Sequence, residues 1–162
     1  MDAPLELIIS VYNDPEQARR VLDDLKQLSR DGNVQIRNAA VIVKDEKGRI
    51  RMDDTQDVGA GKGALFGAII GGLVGLLAGP AGAITGALAG AATGGVTASV
   101  VDMGFSDDQL AELQASMPAN SSALVTLNEH VWVSKLVDEL ESRQGKLFRH
   151  EVASNLSDQM DS

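Results

Sequence analysis

Between Lys62 and Asp102 the chain carries no Asp, Glu, Lys, Arg or His, and glycine returns there at a fixed period. Glycines stand at 59, 63, 67, 71, 75 and 79, and after Pro80 the same spacing resumes at 82, 86, 90 and 94. Residues four apart on an α-helix lie nearly above one another, so each half of this stretch would carry a groove without side chains. Such a groove lets a second helix approach closely, as in GxxxG packing. Pro80, beside Gly79, divides the stretch into two arms. The spacing therefore predicts a helical hairpin over 59–104, with Gly63, Gly67, Gly71, Gly75, Gly79, Gly82, Gly86, Gly90 and Gly94 as its helix-packing and oligomerisation residues.

The solvent of that hairpin follows from cost. A glycine inside a helix in water costs about 1 kcal/mol relative to alanine, so ten cost on the order of 10 kcal/mol. In lipid an unbonded backbone group is dearer still, which holds even glycine-rich segments helical. Leu65, Phe66, Ile69, Ile70, Leu73, Val74, Leu76 and Leu77 supply an outward apolar surface for the first arm. The second arm is richer in Ala and carries Thr85, Thr93, Thr97 and Ser99, whose hydroxyls can bond back to helix carbonyls. Gly63–Gly79 is short for a hydrocarbon core of roughly 30 Å, so the hairpin either reaches across or re-enters. The competing reading is an Ala/Gly hairpin buried in a soluble assembly or against the rest of the chain.

On either side of the hairpin the pattern is α/β. Leu5–Tyr12 reads as a buried strand. Asn13-Asp14-Pro15-Glu16 starts a helix whose Ala18, Val21, Leu22, Leu25 and Leu28 form one stripe, and Asp31-Gly32 ends it. Val34–Lys44 reads as a strand, with Asp45–Gly48 turning into a short strand at Arg49–Met52. Beyond the hairpin, Ser106 opens a capping box for a helix to about Met117. Ser122–Asn128 reads as a strand, His130–Gln144 as a helix and Lys146–Ala153 as a strand. Two strand–helix–strand units, 5–44 and 122–153, can share one sheet with both helices on one face. The expected fold is thus α+β, a ferredoxin-like split βαβ sandwich interrupted by a Gly-rich membrane-type hairpin. Its parts are a first half (1–58), the hairpin (59–104), a second half (105–153) and a polar tail (154–162).

Chemistry is sparse. No cysteine is present, which removes disulfides and thiolate sites. A net charge of −9 argues against a phosphate-backbone binder, so no nucleic-acid partner is expected. Gly59-Ala60-Gly61-Lys62-Gly63 misses the phosphate loop, with Gln56 and Gly63 where Gly and Ser or Thr belong. Asp53, Asp54 and Asp57 lack calcium-loop spacing. His130 and His150 have no carboxylate or serine at triad-like spacing, and Trp132 reads as a sheet contact or an interfacial anchor. No catalytic, cofactor-binding or metal residues are assigned, and no enzyme is expected.

Asp45-Glu46-Lys47-Gly48-Arg49, the hairpin opening Gly61-Lys62-Gly63-Ala64, Asp102-Met103-Gly104-Phe105-Ser106-Asp107-Asp108 and Ser121-Ser122-Ala123-Leu124 together resemble the bacterial domain-of-unknown-function family 1269. The resemblance covers roughly residues 5–153. It implies a bacterial membrane protein with no established biochemical activity. The hairpin here is poorer in bulky apolar residues than that pattern.

The function expected is a non-enzymatic, membrane-associated protein that self-assembles through the hairpin, as a structural or stress-related scaffold. Its partners would be membrane lipid and further copies of itself. It would sit in the bacterial inner membrane, the α/β domain facing the cytoplasm as Lys44, Lys47, Arg49, Arg51 and Lys62 favour. Alternatives are an oligomeric pore lined by the second arm's hydroxyls, or a soluble, cytoplasmic ligand-binding regulatory module oligomerised by the hairpin.

Overall fold

The computed structural model describes residues 5–56, 70–71, 73–75, 77 and 107–152. In chain order its elements are β1 (Leu5–Tyr12), α1 (Gln17–Arg30), β2 (Asn38–Lys44), β3 (Ile50–Gln56), α2 (Asp107–Ser116), β4 (Ser121–Glu129), α3 (His130–Ser142) and β5 (Lys146–Val152). Residues 70, 71, 73–75 and 77, between β3 and α2, are also helical. The fold is α+β, with one five-stranded antiparallel sheet in the order β3-β2-β4-β1-β5.

The two strand–helix–strand units interleave, since β4 of the second lies between β1 and β2 of the first. Registers such as Leu7↔Leu127, Ile9↔Val125 and Ala40↔Val125 align the apolar positions of the three central strands. On one face, α1 and α3 set Val21, Leu22, Leu25, Val133, Leu136 and Leu140 against Ile8, Val41, Val43 and Leu124. Both helices thus share a face, as the sequence pattern predicts. All eight residues of β1 are buried. An antiparallel sheet with one wet face would alternate apolar and polar residues. The burial of every residue of LELIISVY, Glu6 and Ser10 included, fits a strand covered on both sides.

Boundaries move where local chemistry decides them. The Asp14 carboxylate accepts the Glu16 N–H at 2.7 Å and makes a turn of Asn13–Glu16, so α1 starts at Gln17 rather than at Pro15. Its first turn is held from afar: Ser122 Oγ on β4 accepts the Ala18 N–H at 3.1 Å and donates to the Asp14 carbonyl at 2.6 Å. β2 begins at Asn38 rather than Val34, although Val34 and Ile36 are buried on the approach to it. β3 runs on to Gln56, four residues past the expected end, with a register shift opposite Val41 and Ile42. Its polar sequence is tolerated because β3 is an edge strand.

Candidate helix-packing site

The described helical residues between β3 and α2 lie on the other face of the sheet. Ile70, Leu73, Val74 and Leu77 follow one another at helical spacings of three and four, and they are 0%, 1%, 5% and 7% exposed. They share one apolar cluster with Leu5, Leu7, Ile9 and Val11 of β1, with Val125 and Leu127 of β4, and with Leu110 and Leu113 of α2. The sequence expectation that these four side chains face outward is corrected here: they point into the α/β domain. The reason is the second sheet face. With α1 and α3 on one side, the apolar residues of β1, β2 and β4 that point the other way need a cover.

Magnitudes agree with that packing. Burying four aliphatic side chains contributes roughly 6–12 kcal/mol, whereas the two described helical glycines, Gly71 and Gly75, cost about 2 kcal/mol relative to alanine. For these residues the sheet holds the helix.

The glycines sit elsewhere on the same helix. At about 100° per residue, Gly71 and Gly75 lie roughly 100–140° around the axis from Ile70, away from the stripe that meets the sheet. Gly71 is buried and Gly75 half-buried. A Cβ added at Gly75 would meet no atom within 4 Å. Gly63, Gly67, Gly79, Gly82, Gly86, Gly90 and Gly94 lie outside the described residues, as do Leu65, Phe66, Ile69, Leu76, Thr85, Thr93, Thr97 and Ser99. Among the described residues, no helix is long and apolar enough to cross a membrane.

The remaining residues singled out by sequence are dispersed. Asp53 and Asp54 fall in β3, and Asp57 outside the described residues. His150 pairs with Leu7 across the β1–β5 ladder. Among the described residues no three His, Asp or Glu side chains group as a metal site. Trp132 is half-buried in the first turn of α3, with Lys135 Nζ 5.6 Å from its ring centroid.

One polar cluster escaped sequence reasoning. Glu6, inside the first strand, is buried and binds Arg149 Nε at 2.7 Å through one carboxylate oxygen. Its other oxygen lies 3.9 Å from Nδ1 of the exposed His130. The Glu6 hydrogen bond raises the Arg149 pKa further above its ordinary value. Beside it the fully buried Asn128 donates to Thr126 Oγ1 at 2.9 Å. A lone Glu within LELIISVY was the available signal, because an acid in a buried strand needs a cationic partner.

Comparison with the curated proteins gave no match, and neither did comparison with the solved structures. Against protein families, the model described as "Protein of unknown function (DUF1269)" matches residues 58–162. That span takes in the arm on the sheet and the whole of α2, β4, α3 and β5. The chain belongs to the DUF1269 family.

Proposed function

We propose that the chain is a non-enzymatic self-associating protein in which the glycine ladder packs helix against helix and the α/β domain is its carrier. The observation that carries this reading is the division of labour on the arm. Ile70, Leu73, Val74 and Leu77 are spent on the sheet, whereas Gly75 on another side of the helix has open space before its Cα. A groove of this kind suits another helix, from the second arm or from a second copy. The strand order β2-β4-β1-β5, with β3 added at one edge, supports the ferredoxin-like reading of the carrier.

Native mass spectrometry of the full chain tests it. The wild type is expected to form oligomers, and Gly71→Leu and Gly75→Leu to shift it toward monomer. Gly75→Leu is the cleaner arm, because its Cβ disturbs no neighbour and the circular dichroism should stay unchanged. A monomeric wild type, or oligomers indifferent to both substitutions, would refute the reading.

A second reading, membrane attachment through the same segment, is favoured by the uncharged run from Gly63 to Val101. It places the α/β domain at the cytoplasmic side of a bacterial inner membrane. If the first arm inserted, its four apolar side chains would exchange sheet for lipid, so insertion and sheet packing would compete. Flotation with anionic and neutral vesicles decides: wild type that stays at the bottom of the gradient with both removes this reading.

A further inference from the structure

At the end of the sheet where β1 stops and β5 starts, a cleft of about 430 Å³ opens between α2 and β5, within the range of small-molecule sites. Lys146 of β5 and Glu112 of α2 meet in it, Nζ to Oε1 at 3.2 Å, both side chains more than half exposed. Asn13 and Gln144 also line the cleft, as do Val11 and Pro118.

Gln144 is the telling residue. It ends α3 with φ +63°, in the left-handed region that side chains rarely adopt. α1 ends with the same pair of backbone hydrogen bonds, but there the left-handed position is Gly32, φ +79°, as is usual for such caps. A long polar side chain is therefore kept in a disfavoured conformation at a helix end that borders this cleft. Strain of this kind collects at functional sites.

The charges define what fits. A simple anion drawn to Lys146 would be repelled by Glu112, and a simple cation the reverse. A ligand with both signs on neighbouring atoms satisfies both at once. We propose that this cleft binds a free α-amino acid, its carboxylate on Lys146 and its ammonium on Glu112. The Asn13 and Gln144 amides complete the hydrogen bonding, and the ligand side chain lies toward Val11 and Pro118. The assignment is independent of the glycine ladder.

Thermal unfolding and isothermal calorimetry of the full chain with each free L-amino acid at millimolar concentration test it. At least one is expected to raise Tm with concentration by mass action, while its decarboxylated amine and its deaminated acid do not. Lys146→Met and Glu112→Gln, both exposed substitutions, should each weaken binding by at least about tenfold. Gln144→Gly should weaken it too while leaving Tm of the free protein equal or higher, which a purely structural residue would not do. No response to any amino acid, or wild-type affinity in Lys146→Met and Glu112→Gln, overturns the assignment and leaves Lys146–Glu112 a solvated surface pair.

Discussion

Gly32 closes the helix of the first strand–helix–strand unit and Gln144 that of the second, through hydrogen bonds of one pattern. The N–H of each reaches back three residues, to Ser29 and Glu141, and the next N–H reaches back five, to Leu28 and Leu140. In the first unit glycine serves the left-handed turn, and around Gly32 there is room for a Cβ. In the second unit glycine is moved one residue on. A Cβ on Gly145 would collide with Ser10 Oγ and stand 3.0 Å from the Tyr12 ring, so at that position the fold needs the missing side chain for space. The comparison separates two uses of glycine that a sequence shows as the same letter: backbone conformation at 32, close approach at 145.

The largest effect expected follows from the second use. Gly145→Ala should destabilise by about 2–3 kcal/mol, the upper part of the range for overpacking a filled site, because its Cβ meets both Ser10 and Tyr12. Ser10 Oγ donates to the Tyr12 hydroxyl at 2.6 Å inside the core, and burial pushes the Tyr12 phenol above its usual pKa. Urea unfolding of Gly145→Ala, Ser10→Ala and the double variant gives the coupling. The double variant should be less unstable than the sum of the singles, and strict additivity would show that the collision is not with Ser10.

Next in size is the asymmetry at the other helix ends. The first turn of α1 is bonded by Ser122 from the second unit, whereas α3 follows β4 directly and has no side-chain cap. Ser122→Ala leaves the Ala18 N–H and the Asp14 carbonyl without that partner, and should cost about 1–2 kcal/mol. Amide exchange should quicken in the first turn of α1 and not in α3; equal quickening in both helices would mean that the loss is global.

These cases mark what sequence could and could not deliver. The order of strands and helices was readable because Val21, Leu22, Leu25 and Val133, Leu136, Leu140 keep helical spacing, while LELIISVY does not. The sequence pattern ends β3 at Met52 because Asp53 and Asp54 are poor strand formers in general, yet they are acceptable at an edge. The stripe Ile70, Leu73, Val74, Leu77 was visible, but a stripe does not say what covers it. The answer was latent in the strands: β1 carries Leu5, Leu7, Ile9 and Val11 on the face opposite Ile8 and Tyr12, and α1 and α3 cover only the latter. Ser122 and Asp14 are far apart in sequence, as are Glu6, His130 and Arg149, and no local pattern joins them.

Gly32→Ala and Gln144→Gly sharpen the cap comparison by opposite signs. With open space around Gly32, only its φ of +79° resists a side chain, so Gly32→Ala should lose about 1 kcal/mol. Gln144→Gly relieves the same strain but adds freedom to the unfolded chain, for a net gain of about 0.5 kcal/mol. Denaturation midpoints read both. Were Gln144→Gly to lose as much as Gly32→Ala, the Gln144 side chain would be holding the fold rather than serving the cleft.

The smallest effect is a pH dependence confined to the loops of the first unit. Asp14 is held below the ordinary carboxylate range chiefly by the Glu16 N–H, with Arg20 adding to it at 3.0 Å. Asp45 is held low chiefly by the Arg49 N–H, with the Arg49 guanidinium also at 3.0 Å. Both are depressed in the folded state, so each contributes stability above the unfolded carboxylate pKa and loses it as pH falls through the folded value. Both are half-buried at the surface, and solvent keeps the contribution small. Asp14→Asn and Asp45→Asn should therefore lower the urea midpoint slightly at neutral pH and converge on the wild type in strong acid. A gap that stays constant with pH would show that the lost hydrogen-bond geometry matters and the carboxylate charge does not. In the second unit α3 begins on Glu129–His130 with no turn closed by a carboxylate, so acid should loosen the Asp14 and Asp45 turns before the start of α3. Hydrogen exchange of the Glu16 and Arg49 amides against those of α3, followed across the acid range, resolves that order.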